Sequence, residues 1–314
     1  REEAYALQWQ QQKDVLELFR THFDVWYSER KLYDSGAVER AQARLEAQGH
    51  VFESEGALWL RTTTFGDDKD RVLIKENGER TYFAADTAYY VDKRMRGFDT
   101  AIYLLGADHH GYVNRLRAVA ACAGDNMHEN IEILIGQLVK ITRGGVEVKL
   151  SKRSGQIVTL EELVEEVGVD AARYTLARYP VETPLVVDLE EIARKANDNP
   201  VFYVQYAHAR ISSVLRNAED IGAKWRESAF IPELLDMKQE NELLGVIEKF
   251  PAVIATAAEL REPHRVARFL EELASAYHRF YDACRVLPRS DEELGSVHIA
   301  RLWVCAATQQ TLAN

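Results

Sequence analysis

The sequence is poor in the residues that staple, coordinate or span. Its three cysteines, Cys122, Cys284 and Cys305, lie far apart and form no C-x-x-C pair, so neither a disulfide framework nor a zinc cluster is indicated. A reducing, cytoplasmic setting is the default that follows. No run approaches the ~18 apolar residues that cross a bilayer, and no charged-then-apolar start resembles a secretion signal. Proline (7) and glycine (17) are sparse in 314 residues, which excludes collagen-like and low-complexity chains. Positive charge is not in excess either. With 39 basic and 50 acidic side chains the net charge is -11, which argues against binding a polyanion over the whole surface and leaves room for a local basic site.

What remains is an ordinary globular composition, 46% apolar, long enough for two domains with a sizeable core. Residues 2–19 pattern as a helix. "FDVWYS" (Phe23 to Ser28) reads as a strand followed by a loop, and "AVERAQARLEAQG" as a short helix closed by Gly49. "HVFESEGALWLRTT" and "RVLIKENGERTYFA" each alternate about a glycine and are expected to be β hairpins, the second turning at Asn77-Gly78. Then "DTAYYVDKRMRG" (helix), "AIYLLGAD" (strand), "YVNRLRAVAACAG" (helix) and "NIEILIGQLVKI" (one apolar strand) follow each other with short connections. That is the order of a parallel sheet with crossover helices. From Thr159 onward the strand signal nearly disappears. Pro263 opens the clearest helix, with Val266, Leu270, Leu273, Tyr277, Phe280 and Cys284 on one face, and the last ~120 residues read as a helical bundle.

Three stretches carry residues suited to chemistry. "GADHHG" lies at the carboxyl end of a predicted parallel strand, where such sheets bind ligands. Gly106 admits close approach, Asp108 can accept from vicinal sugar hydroxyls, and His109 and His110 can donate. The alternatives are a turn in which Asp108 merely caps the next helix, or a metal site. In "TYFAAD", Tyr82 and Asp86 share a face if the helix begins early enough, and a carboxylate beside a phenol suits a cationic group. Otherwise Asp86 only favours a helix N-terminus and Tyr82 ends a hairpin strand. "VKLSKRSG" sets Lys149, Ser151, Lys152 and Arg153 after the last strand of the sheet, either as a solvated turn or as a loop that follows phosphate charge. In the helical part, aromatics mixed with Arg, Asn and His can stack on bases. Phe202, Tyr206, Tyr277 and Phe280 fit the core better, and Arg268, Arg279, Glu271 and Glu272 read as a solvated face.

Taken in order, "FDVWYSERKLYDSG", "GADHHGYVNRLRA", "VKLSKRSG", "VGVDAARYTL", "NPVFYVQYAHARI" and "SAYHRFYDACRVL" resemble the bacterial arginyl-tRNA synthetases, as does the long stretch from "LWLRTTTFGDD" to "TAYYVDK". The resemblance covers essentially the whole chain. It implies an α/β Rossmann-type catalytic domain, of which residues 1–158 are the second half with a β-hairpin insertion. A stem-contact helical region (159–192) and an all-α helical-bundle anticodon-binding domain (193–314) would follow. It implies arginine-tRNA ligase activity with ATP and magnesium as substrate, L-arginine and tRNA(Arg) as partners, no structural metal, no membrane and a monomeric state. By the same resemblance Lys149, Ser151, Lys152 and Arg153 act on the triphosphate. Gly106, Asp108, His110, Val139 and Lys152 hold ATP, and Tyr82, Asp86 and His109 hold arginine. The family's H-x-G-H motif does not occur in the sequence. The chain is therefore expected to be a fragment with half of the ATP site outside it, inactive alone. Two other readings stand beside this one: a non-catalytic tRNA-binding relative of a synthetase, and a metal-dependent phosphoesterase of the "DHH" type.

Overall fold

The computed structural model describes residues 2–148, 159–196, 198–289 and 292–314. The chain divides into two compact units, His22–Leu138 with Val181–Pro184, and Arg1–Thr21, Val139–Pro180 with Leu185–Asn314. Helix α1 (Glu2–Leu18) belongs to the second of these and buries no residue of its own.

The first unit begins with a segment expected as a strand. Residues 23–28 form none: Phe23 and Val25 are exposed, and the segment is held by ring packing of Tyr27 on Tyr89 at 5.0 Å. Alternation alone does not make a strand where no neighbour supplies a hydrogen-bonding edge. Helices α2 (Arg30–Asp34) and α3 (Ala37–Ala47) follow, and Gly49 at φ +77 ends α3 as expected. Strands β1 (Val51–Ser54), β2 (Ala57–Leu60) and β3 (Arg71–Ile74) make an antiparallel sheet in that order. The first hairpin is present. The second is reduced to one bridge between Ile74 and Arg80, because Thr81 stops the returning arm. Its backbone N–H donates to Leu73 at 3.0 Å, its hydroxyl donates to the Val72 carbonyl at 2.7 Å, and its side chain caps helix α4 (Tyr82–Met95).

Strand β4 (Ala101–Gly106), helix α5 (Val113–Cys122) and strand β5 (Ile131–Gly136) form the expected crossover unit. β4 and β5 pair in parallel from Ala101–Ile131 to Gly106–Gly136. The core of this unit comprises Leu32, Leu45, Leu60, Phe83, Tyr90 and Val119 among others. "NIEILIGQLVKI" is two strands rather than one. The chain leaves β5 at Gly136, the Gln137 N–H turns to the Val181 carbonyl at 2.9 Å, and Leu138 is exposed.

In the second unit β6 (Val139–Arg143), β7 (Val146–Glu147) and β8 (Leu185–Asp188) form a sheet ordered β7-β6-β8, with β6 and β8 parallel. Helices α6 (Leu160–Val167) and α7 (Val169–Ala177) precede β8, and α8 (Leu189–Ala193) follows it. The rest is helical: α9 (Pro200–Asp220), α10 (Lys238–Glu248), α11 (Phe250–Leu260), α12 (His264–Ala283) and α13 (Ser296–Ala313). The core-facing stripe of α12 is wider than its three-and-four spacing implied, because Ala267, Phe269 and Ala274 are also buried. Tyr277 and Phe280 are core. Tyr206 is not: it is 38% exposed and stacks with Phe202 and His278. Glu271 is not on a solvated face either. It takes two hydrogen bonds from Arg178, at 2.6 and 3.0 Å, and one from the Tyr174 hydroxyl at 3.1 Å.

Candidate active site

The early start of α4 decides the first half of the site. With Thr81 as cap, Tyr82 is the first helical residue, not the end of a strand. Asp86 therefore sits beyond the first turn, where the helix dipole has lost most of its effect. Tyr82, Asp86 and Tyr89 fall on one face and line a pocket of about 340 Å³ with Tyr27, Glu29 and Leu32. Tyr82 is 88% exposed, at the mouth. Burial, and then the charge of Glu29, pushes the Asp86 carboxyl above the usual carboxylate range, while Arg115 and a hydrogen bond from the Tyr112 hydroxyl pull it back. A carboxyl held in this way is stabilised as its anion by an incoming cation.

The aromatic wall of the pocket carries cations of its own. The Lys93 ammonium lies 4.4 Å from the Tyr89 ring centre and 3.7 Å from that of Tyr103. Burial, then Arg96, lowers its pKa to about 8. Arg96 stacks over Tyr27 at 4.8 Å and holds Asp92. These cations lie over ring faces and are not among the residues that line the cavity.

The second half is the 3₁₀ turn Ala107–Tyr112 at the carboxyl end of β4. Asp108 folds back so closely that a Cβ on Gly106 would lie 2.7 Å from its carboxylate oxygen. The backbone there, at φ −72, is open to any residue, and the contact is with the exposed end of a side chain that can turn aside, so neither by itself demands glycine. Asp108 does not cap α5, whose first turn receives no side-chain bond. Instead its carboxylate meets His109 Nδ1 at 3.0 Å, with the two side chains 80% and 53% exposed. His110 is exposed as well. The turn presents a carboxylate and two imidazoles to solvent where a ribose or phosphate could be met. His109 is drawn to Asp108 and to the edge of Tyr112, ring centres 6.1 Å apart, and does not line the pocket of Tyr82 and Asp86.

Val139 begins β6 in the other unit. Lys149, Ser151, Lys152 and Arg153 lie outside the described residues. The β6–β7 hairpin before them is pinned by Asp188, which accepts from Gly145 N at 2.8 Å and from the Thr142 hydroxyl at 2.9 Å. Those bonds, the one from Gly145 foremost, hold its carboxyl at about 2. Sequence reasoning singled out Tyr82 and Asp86 of this lining and missed the rest, the tyrosines Tyr27 and Tyr89 and, the one further charge, Glu29. Its "SER" surroundings have no period and no motif of their own, so only the packing of residues 23–28 against α4 discloses it. Among the described residues no group of three or more His, Cys, Asp or Glu could hold a metal ion.

Two family models match the chain: the class I (R) tRNA synthetase catalytic domain over residues 4–215 and the DALR anticodon-binding domain over residues 204–314. The arginine–tRNA ligase of Frankia alni is 57% identical over 313 residues, covering 100% of this chain and 57% of that protein. That of Paenarthrobacter aurescens is 56% identical over 311 residues, covering 99% and 56%. Thus the chain spans little more than half the length of these curated relatives. The Thermus thermophilus arginyl-tRNA synthetase structure superposes with a TM-score of 0.79 over 96% of this chain and 60% of that one, at 21% identity, which speaks for the fold. A catalytic-domain model over most of the chain, a helical anticodon-binding model over the remainder and full-chain identity above half place this chain in the arginyl-tRNA synthetase family of class I.

Proposed function

We propose that the protein to which this chain belongs is an arginine–tRNA ligase that activates L-arginine with ATP and passes it to tRNA(Arg). The observation that carries this reading is the pocket of Asp86 and Glu29 with three tyrosines. Two carboxylates and aromatic faces suit a planar, permanently charged guanidinium, which donates to carboxylates in pairs and stacks on rings. Lysine offers no fork and citrulline no charge, so both are rejected by groups left unpaired.

On this reading Gly106, Asp108 and His110 take the adenosine side of ATP, and the family resemblance assigns Val139 to ATP as well. His109 takes the polar end of arginine, where its bond to Asp108 links the two ligands. Lys149, Ser151, Lys152 and Arg153 neutralise the triphosphate. The arginine carboxylate attacks the α-phosphate, pyrophosphate leaves with its magnesium, and a ribose hydroxyl of the tRNA then displaces AMP. Positioning and electrostatic stabilisation suffice, with no covalent enzyme intermediate. Residues 1–158 would serve the chemistry, 159–192 the tRNA stem and 193–314 the anticodon, in a monomer in the cytoplasm. No described helix is long and apolar enough to cross a membrane.

The test is aminoacylation by the full-length protein with labelled amino acid, total tRNA and ATP. Arginine should enter acid-insoluble tRNA with one AMP released per arginine, and lysine and citrulline should not. Binding of tRNA with no AMP released would instead favour a non-catalytic tRNA-binding relative.

A further inference from the structure

One carboxylate fastens the hairpin that leads into residues 149–153. Gly144 and Gly145 make the two-residue turn between β6 and β7, at φ +55 and +79, the left-handed pair that such a hairpin requires and glycine supplies. The ladder pairs Arg143 with Val146 and Thr142 with Glu147. The Val148 N–H then donates to the Ile141 carbonyl at 2.9 Å, so the pairing runs up to the residue before Lys149. β7 is nevertheless a poor anchor, an edge strand of two exposed residues, and packing does not fix its direction. Asp188 does. It stands opposite Thr142 across the parallel β6–β8 pair. Its Oδ2 accepts from the Thr142 hydroxyl at 2.9 Å and from the Gly145 N–H at 2.8 Å. Its Oδ1 accepts from the N–H groups of Gly144, Glu190 and Glu191 at 3.4, 3.0 and 3.4 Å, the last two at the start of α8. After residues 149–153 the described chain resumes at Thr159, which forms the capping box of α6 with Glu162. Arg143 of β6 donates to Glu166 of the same helix at 2.6 Å.

We propose that Asp188 is a positioning residue for the activation of arginine: by tying the β6–β7 turn to the start of α8, it sets where β7 delivers Lys149, Ser151 and Lys152 to the triphosphate. This rests on the reading that those residues neutralise the triphosphate. Asp188 touches no substrate and acts through the hairpin. The physical reason is that electrostatic stabilisation depends on charges that are already in place when the reaction begins, and a displacement of about 1 Å can cost about a hundredfold in rate. An acid is needed rather than its amide. The donors meeting Asp188 divide between its two oxygens, Thr142 and Gly145 on one, Gly144 and α8 on the other. Asparagine has one acceptor oxygen, so it would keep the cap of α8 or the grip on the hairpin, not both.

The experiment is a double-mutant cycle of Asp188→Asn and Lys152→Ala in the full-length protein. The rate of pyrophosphate release in a single turnover is measured at saturating ATP, arginine and magnesium with tRNA present, and arginine affinity by calorimetry. Asp188→Asn should slow release by about tenfold to a hundredfold. Arginine affinity should stay within about twofold of wild type, as for an interaction that matters only in the transition state. In the Lys152→Ala background the same substitution should add less than about twofold, because a side chain already removed cannot be misplaced. Thr142→Val, which deletes one donor to Asp188 and keeps the branched strand residue, should show a smaller loss with the same non-additivity, and it decides the matter by the same criteria if Asp188→Asn does not fold. An Asp188→Asn rate equal to wild type, effects that simply multiply with those of Lys152→Ala, or an arginine affinity that falls in step with the rate would each overturn the proposal. A Lys152→Ala protein as fast as wild type would instead overturn the reading of the triphosphate residues, and the proposal with it.

Discussion

Asp67 and Asp86 occupy the same unit of the chain, and both are largely withdrawn from water. The loop around Asp67 answers its carboxylate completely. Arg71 forks onto it with two bonds of 2.7 Å, the two side chains being 2% and 10% exposed. Burial pushes that carboxyl up, but the hydrogen bonds led by Arg71 prevail and hold it at about 2. The first two turns of α4 do the reverse. Burial and Glu29 win over Arg115 and Tyr112, and the Asp86 carboxyl stays raised. The same side chain is thus a finished structural part in one place and an unfilled acceptor in the other. An acid whose surroundings penalise its charge, at a pocket wall, is the one to associate with a ligand.

The largest effect that could break this contrast is on stability. Asp67→Asn removes the forked partner of a buried guanidinium and leaves it only the exposed Asp68, so it should cost about 3 kcal/mol, read by urea denaturation of the full-length protein, with the arginine KM of the folded remainder unchanged. Asp86→Asn should leave stability within about 1 kcal/mol of wild type or raise it, since it removes a charge that burial disfavours. If both variants lose stability equally, Asp86 is as structural as Asp67. A smaller effect sharpens the contrast through pH. Asp67, with a lowered pKa, contributes stability above the ordinary carboxylate value that is lost as pH falls toward about 2. Asp86, with a raised pKa, takes up its proton more readily when folded, so stability falls as pH rises through its window above the ordinary value. Denaturation of wild type against each Asn variant across acid pH should show opposite slopes.

Much of this was legible from residue pattern. Thr81 followed by "YFAAD" was compatible with a helix that aligns Tyr82 and Asp86, and the capped start of α4 realised it. Glycine endings, the β4–α5–β5 crossover and the α12 stripe followed from local chemistry. What escaped were features set by distant partners. Residues 23–28 alternate like a strand but find no edge. The second hairpin arm yields to the Thr81 cap. β8 is recognisable only because β6 pairs with it. Glu29 acquires meaning only once α2 packs against α4. Glu271 looked solvated because its partner, Arg178, lies just past the end of α7, remote in sequence.

The central claim is that Asp86 is the charge that recognises a guanidinium. It is tested most directly by steady-state kinetics of the full-length protein and its Asp86→Asn variant, with arginine and ATP varied in turn. The account predicts that the KM for arginine rises by the equivalent of about 2 to 4 kcal/mol, that the KM for ATP changes little, and that discrimination between arginine and uncharged citrulline collapses. Equal changes in both KM values, with that discrimination intact, would contradict it.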